Sequence, residues 1–244
     1  PYTVGAVDYT GDMPVILGPD GPSLGGFVCP VTIVQAELWK MGQLKAGSRV
    51  RFRLLTPEEA RILEENQETL IQDLQLPESV VPFKQRAFTA SETPIIHQFS
   101  IDGDIQVVCR RSGDKNLLIE FGEPVLDLTL RFHVHTLMLA LEEKQLKGIL
   151  DLTPGIRSLQ IHYDSRLQPL DTLLETIESV QKTLAGSQNR KVPARIVHLP
   201  LSWDDPATHK AIERYTQSVR PDAPWCPSNI EFIRQDAAKI KNDP

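Results

Sequence analysis

The sequence predicts an α+β protein organised around a βαββαβ unit between Asn116 and Pro200. Short apolar runs typical of strands alternate with two segments whose apolar residues recur every three to four positions, as they do on one face of a helix. Glycine and proline residues separate these segments where turns are needed. This order is the split-βαβ, ferredoxin-like arrangement, in which two helices pack on one face of an antiparallel sheet.

The elements of this unit follow one another in the sequence without long gaps. The predicted strands cover residues 116–121, 149–153, 158–163 and 195–201. The first helix has apolar residues from Leu130 to Leu141 and stops at Gly148, and the second keeps a 3.6-residue period from Leu170 to Leu184. Residues 105–110 add a further strand or a strand extension ahead of the unit.

The first 55 residues indicate a β-rich segment with one irregular loop. Strand-like runs cover residues 2–7, 13–17, 27–34 and 49–54, and residues 36–44 suggest a short helix. Residues 18–26 contain four glycines and two prolines. The spacing of a phosphate-binding loop is absent, so a tight turn is the favoured interpretation over an anion site. Because a glycine-rich backbone lets a ligand approach closely, the candidate binding residues here are Gly21, Ser23, Gly25 and Gly26.

A connecting segment, residues 56–96, follows. Thr56 and Glu59 have the spacing of a capping box, with Pro57 at the first helical position. The acidic helix that starts there covers residues 58–74, and residues 76–94 are rich in proline. A solvated linker helix is favoured over a partner-recognition helix.

Charge and composition exclude several classes of function. The net charge of −6 gives no basic field for nucleic acid or an anionic membrane surface, and no apolar run is long enough to span a bilayer. The N-terminus has no signal-peptide pattern. The three cysteines are far apart and lack CxxC spacing, which indicates free thiols in a reducing compartment and predicts a cytoplasmic location. A start at Pro1 predicts either a piece of a longer protein or a processed start.

The polar residues offer few candidates for chemistry. His133 and His135 are two positions apart, so on a helix they point away from each other, and we expect no metal site. No serine-nucleophile elbow and no HExxH motif are present. Arg157 and Ser158 lie at the join of two predicted strands. Arg157 could bind a carboxylate or carbonate through both guanidinium nitrogens, or it could be a surface residue paired with Asp151 or Asp164. Both interpretations stay open.

Two pairs of motifs resemble known families. Residues 18–27 and 43–52 resemble the end of the KipA-like half of biotin-dependent urea carboxylases, with Ser48 where aspartate is usual. Residues 113–122 and 148–164 resemble the N-terminal domain of KipI-like proteins. The order of the two is similar to that in the carboxyltransferase region of urea carboxylase within fungal urea amidolyases.

This resemblance implies a domain plan. Residues 1–55 would be the C-terminal part of a KipA-like, cyclophilin-like β domain, and residues 56–96 a helical and proline-rich linker. Residues 97–192 would be the ferredoxin-like domain, and residues 193–244 the truncated start of a second cyclophilin-like domain. The expected fold is therefore a ferredoxin-like domain flanked by partial cyclophilin-like barrel pieces.

The resemblance also implies a reaction, namely transfer of a carboxyl group from carboxybiotin to urea to give allophanate. Biotin would sit on a carrier domain, and ATP and Mg would act in a biotin carboxylase domain. A further amidase domain would hydrolyse allophanate. This sequence contains neither a biotinyl Met-Lys-Met nor an ATP-grasp glycine loop, so a fragment that is incomplete alone is expected. The alternatives are a non-catalytic KipI-like interaction module, since such proteins are associated with histidine-kinase inhibition, and a non-functional gene remnant.

Overall fold

The chain folds into two compact units, Pro1–Arg190 and Lys191–Pro244. The computed structural model describes residues 2–9, 11, 13–21, 28–74, 93–101, 103, 105–185 and 194–240. Both sheets are open, and helices and strands are mixed along the chain, as the α+β prediction requires. No helix within these ranges is both long and apolar enough to cross a membrane.

The first unit begins with a small antiparallel sheet. β1 (Ala6–Tyr9) lies between β2 (Pro14–Ile16) and β3 (Val28–Thr32). A 3₁₀ helix, Gln35–Gln43, and the helix α1, Pro57–Asp73, follow it. The strand predicted over residues 49–54 is wrong. These residues are irregular and largely exposed, because their alternating pattern finds no neighbouring strand with which to pair.

A five-stranded antiparallel sheet forms the larger part of the first unit. Its strands, in the order in which they lie side by side, are β4 (Ile95–Ile101), β5 (Ile105–Arg111), β6 (Asn116–Phe121), β8 (Ser158–Tyr163) and β7 (Ile149–Pro154). The helices α2 (Leu128–Lys144) and α3 (Leu170–Ala185) pack against the sheet and against each other. Asp127 caps α2 by accepting a hydrogen bond from the amide of Thr129 at 2.6 Å.

Strict alternation along the three middle strands builds the core. Val107 and Cys109 on β5 and alternate residues of β6 and β8 are almost completely buried, as are the facing positions of α2 and α3. The fully inaccessible members are Val107, Cys109, Leu117, Ile119, Phe121, Val134, Leu137, Leu159, Ile161, Leu173 and Ile177. The opposite face of the same strands carries mostly polar groups, and Gln160 among them is itself buried.

One strand of the predicted βαββαβ unit is absent. Residues 195–201, expected to be its last strand, are irregular, and Ile196 and Leu199 are largely exposed. The place beside β6 is occupied instead by β5, which pairs with it from Val107 opposite Phe121 to Arg111 opposite Leu117. A hairpin partner that precedes β6 directly has already used the backbone groups that the later segment would need.

The second unit contains two helices, α4 (Pro206–Ser218) and α5 (Asn229–Ile240). Asp205 caps α4 through a 2.7 Å hydrogen bond from the amide of Ala207. The rings of Tyr215 and Trp225 lie 6.0 Å apart and hold the segment after α4 against it.

Candidate functional site

The first unit contains a cleft of about 550 Å³. Its walls include three segments that are distant in sequence. They are Cys29 and Thr32 on β3, Thr56 and Ala60 at the start of α1, and residues 110–114 at the turn between β5 and β6. Concave sites of this size, lined by apolar residues and a few polar groups, are typical of small-molecule binding.

Two arginines supply positive charge to this cleft. Arg110 donates from Nε to Glu120 Oε2 at 2.5 Å, so one of its nitrogens is engaged on the open face of the sheet. Arg111 makes no ion pair with any residue that the structure describes and lines the cleft with its guanidinium uncommitted. A free guanidinium matches the geometry of a carboxylate, which it can bind with two parallel hydrogen bonds.

The turn between β5 and β6 is pressed against β3. A β-carbon at Gly113 would lie 2.9 Å from Cγ2 of Thr32, and Gly113 has φ of +77°, so only glycine fits there without strain. The next residue, Asp114, accepts a 2.9 Å hydrogen bond at Oδ2 from the amide of Gln35. Burial raises the pKa of the Asp114 carboxyl. The hydrogen bond from the Gln35 amide lowers that pKa and offsets part of the effect.

Cys29 is the sulfur-bearing residue of the cleft wall. Burial raises the pKa of its thiol, and the negative charge of Asp8 raises it further. The reactive form of cysteine is the thiolate, so this thiol is a poor nucleophile at neutral pH. The cleft thus offers groups that bind and orient a ligand rather than a sulfur that attacks one.

The start of α1 is fixed by the capping box that the sequence predicts. Glu59 Oε2 accepts a hydrogen bond from the amide of Thr56 at 2.7 Å, and Thr56 Oγ1 accepts one from the amide of Glu59 at 3.2 Å. This prediction is confirmed. Both partners engage each other, so the cap holds Thr56 and Pro57 in the cleft wall.

Replacing Thr56 with alanine is expected to lower the free energy of unfolding by about 0.5–2 kcal/mol, because the cap is lost from α1. Denaturant unfolding followed by circular dichroism measures the change. Thr129→Ala is the matched control, since Thr129 is exposed and lies one position inside α2 rather than at its cap. Equal losses in the two variants would contradict a capping role for Thr56.

A cluster of ion pairs joins the middle of α1 to Lys115, at the start of β6, and to the segment after β8. Lys115 is 7% exposed, and its Nζ lies 2.5 Å from Glu64 Oε2 and 3.6 Å from Asp164 Oδ1. Arg166 pairs with Asp164 at 2.7 Å and also with Glu68. The acidic character of α1 therefore serves these contacts, and a free, solvated linker does not describe its first half.

Of the residues predicted from sequence, the described ones (Arg157, Ser158 and Gly21) do not line this cleft. Arg157 Nη2 pairs with Glu120 Oε1 at 2.7 Å, and its Nη1 donates to the Gly122 carbonyl at 3.2 Å, so neither Asp151 nor Asp164 is its partner. Ser158 stands opposite Glu120 in the β6–β8 register.

Of the candidate binding residues in the predicted glycine loop, the structure describes Gly21. Gly21 is exposed, with φ of +62° and nothing within 4 Å of a β-carbon placed there. Ser23, Gly25 and Gly26 lie outside the described residues. Within the described part of the chain, no group of three or more His, Cys, Asp or Glu side chains is placed to hold a metal ion.

Two known families match segments of this chain on different sides of the cleft. The family described as carboxyltransferase domain, subdomain A and B, matches residues 1–54. The family described as carboxyltransferase domain, subdomain C and D, matches residues 107–224. The chain belongs to the carboxyltransferase-domain family.

The relatives and solved structures that match this carboxyltransferase chain include urea amidolyases and a urea carboxylase. The urea amidolyases of Lachancea kluyveri and Saccharomyces cerevisiae are each 33% identical to it, over 96% and 95% of the chain. The crystal structure of the K. lactis urea amidolyase matches with a TM-score of 0.76 and 33% identity over 96% of the chain. That of the Kluyveromyces lactis urea carboxylase matches with 0.75 and 34% over 95%.

The chain spans only a small part of these proteins. It covers 13% of the length of each of the two urea amidolyases, and 14% and 21% of the two crystallised chains. It therefore corresponds to the carboxyltransferase region of much larger proteins. Its cleft is lined by residues of both matched segments, together with the start of α1, which lies between them.

Sequence reasoning missed the groups that line the cleft of this carboxyltransferase chain. Arg110 and Arg111 precede the turn at residues 112–115, which contains Asp114 and which Gly113 indicates in the sequence. The signal was therefore present as two arginines entering a glycine turn. What the pattern could not show is that β3 and α1 lie against that turn.

Proposed function

We propose that this chain forms a ligand-binding wall for the carboxyltransferase reaction of a biotin-dependent urea carboxylase, in which urea is converted to allophanate. The observation that carries the proposal is the position of the cleft. It lies where the two family-matched segments meet, and its polar edge is formed by Arg110, Arg111 and Ser112. Bound carboxybiotin would supply the transferable carboxyl group.

The residues present fit such a group through its negative charge. Arg111 is free to bind a carboxylate through two nitrogens, and Ser112 can donate a third hydrogen bond. Asp114, held by the Gln35 amide, can accept a hydrogen bond from an amide such as urea. The protein's contribution would be to hold donor and acceptor close together and correctly oriented.

The proposal includes the domain plan and the missing components. Residues 1–55 and residues 193–244 would each be part of a cyclophilin-like domain. Between them would lie a linker, residues 56–96, and a ferredoxin-like domain, residues 97–192. Biotin carrier and biotin carboxylase domains, with ATP and Mg, would act with this chain in the cytoplasm. Arg157 and Ser158 and the loop residues Gly21, Ser23, Gly25 and Gly26 stay secondary candidates for substrate binding.

A chimera tests this proposal. The matching region of the Saccharomyces cerevisiae urea amidolyase is replaced by this chain, and urea-dependent ATP consumption is measured. We expect activity in the chimera and a loss of about tenfold or more in kcat/KM for Arg111→Ala, because a charge-assisted hydrogen bond is removed. Arg214→Ala, at an exposed position of α4, is the control and should leave the activity unchanged.

Two results would count against the proposal. Equal activity in the Arg111→Ala and Arg214→Ala chimeras would remove the cleft from the reaction. A correctly folded chimera with no urea-dependent turnover would favour the alternative, a non-catalytic KipI-like interaction module.

A further inference from the structure

A second, smaller cavity of about 220 Å³ adjoins the cleft. It shares Pro57, Arg111 and Asp114 with the cleft and is otherwise bounded by α1 and by the segment from the end of β8 to the start of α3. Its distinct wall includes Tyr163 and Ser165. Neither the family match nor the proposed carboxyl transfer assigns a ligand to it.

The acidic groups of this cavity are largely engaged by other residues. Glu58 accepts hydrogen bonds from Arg61 Nε and Nη2 at 2.9 and 2.6 Å. Glu64 pairs with Lys115, and one oxygen of Asp114 is bound by the amide of Gln35. These partners neutralise most of the negative charge that would otherwise repel an anion.

Three hydrogen-bond donors remain uncommitted. Tyr163 is only 3% exposed, yet its hydroxyl has no hydrogen bond to any residue in the described part of the chain. The Arg111 guanidinium and the Ser165 hydroxyl are likewise without side-chain partners there. A guanidinium and two hydroxyls that border one small cavity form a set of donors that suits an anion.

We propose that this second cavity binds a small organic carboxylate. The Arg111 guanidinium and the hydroxyls of Tyr163 and Ser165 would hold the carboxylate, and Pro169 and Leu170 would contact a short apolar body. Burial raises the pKa of Tyr163, so its hydroxyl stays protonated at neutral pH and can donate a hydrogen bond. The volume limits the ligand to a few carbon atoms.

Because both cavities are lined by Arg111, a ligand in the smaller cavity would change the charge of the cleft. A carboxylate bound in the smaller cavity would draw the guanidinium to itself and leave the cleft with less positive charge. This consequence rests on the proposed function, whereas binding of the carboxylate does not. Binding is therefore measured on the chain without urea or a biotin carrier, so its failure and that of the proposed function are distinguishable.

The test is a titration of the full chain with sodium butyrate, followed by calorimetry and by the NMR signal of the ¹³C-labelled carboxylate. We expect saturable binding, about tenfold weaker in Tyr163→Phe, because one hydrogen bond to a charged group is lost while the ring is kept. Tyr215→Phe, on α4 in the other unit, is the matched control and should bind as the unchanged chain does.

Unfolding curves of Tyr163→Phe establish that this variant is folded, and Ser165→Ala provides an independent second variant with weakened binding. Three outcomes would overturn the proposal. They are no saturable binding of butyrate, equal affinity in Tyr163→Phe and the unchanged chain, and equal affinity for butyrate and butanol. The last would show that the cavity recognises the apolar body rather than the carboxylate.

Discussion

Replacing Lys115 with methionine is expected to lower the free energy of unfolding of the first unit by about 3–5 kcal/mol. The side chains of Glu64 and Asp164 are each 13% exposed and face the Lys115 ammonium. Without it, the largely buried Glu64 carboxylate is left, among the described residues, with a distant partner, Arg166 at 4.0 Å. Asp164 loses less, because Arg166 still pairs with it at 2.7 Å.

Hydrogen exchange of the β6 amides measures this change, because it reports opening of the first unit by itself. The control is Lys182→Met, since the side chain of Lys182 is 74% exposed in its pair with Glu178 and should contribute less than about 0.5 kcal/mol. The double variant Lys115→Met with Glu64→Leu should recover much of the loss, because the buried carboxylate that Lys115 neutralised is then removed as well. A Lys115→Met variant as stable as Lys182→Met would show that the cluster is not energetically important.

Phe121→Ala is expected to be equally severe, at about 3–5 kcal/mol. Phe121 is fully buried at the end of β6, and its ring lies nearly parallel to that of His133 on α2, with centroids 6.2 Å apart. Truncation removes apolar contacts and leaves a cavity between sheet and helix, because the closely packed neighbours can relax into it only partly.

Urea unfolding followed by far-UV circular dichroism measures the effect of Phe121→Ala. Phe52→Ala is the matched control, because Phe52 is 61% exposed in an irregular segment and should change stability by less than about 0.5 kcal/mol. A loss at Phe121 no greater than that at Phe52 would contradict the assignment of Phe121 to the core.

The fold was predictable where a pattern is decided locally. β6, β7, β8, α2 and α3 were all expected, because alternation and the 3.6-residue period report directly which side of an element faces the core. Residues 195–201 have a similar alternation and form no strand. Pairing needs a free sheet edge, and β5 already occupies the edge of β6, which no single-segment pattern can reveal.

The candidate site was less predictable, for a related reason. Arg157 was chosen by residue type, either as a carboxylate-binding group or as a surface residue paired with Asp151 or Asp164, but its partner is Glu120 on the neighbouring strand. The acidic run of α1 suggested a solvated helix, because composition does not show that Glu64 pairs with Lys115. Long-range partners decide the role of a charged side chain, and they are fixed by topology rather than by neighbours in sequence.

The Arg110–Glu120–Arg157 contacts also select how the chain aligns as it folds. Glu120 meets both arginines only when β5 and β8 flank β6 in the observed register. A slip of β6 by one residue would turn Glu120 toward the helices and carry Ile119 and Phe121 to the open face. The buried carboxylate would then have no arginine to pair with. A side chain on the open face thus disfavours misaligned pairing of the three central strands.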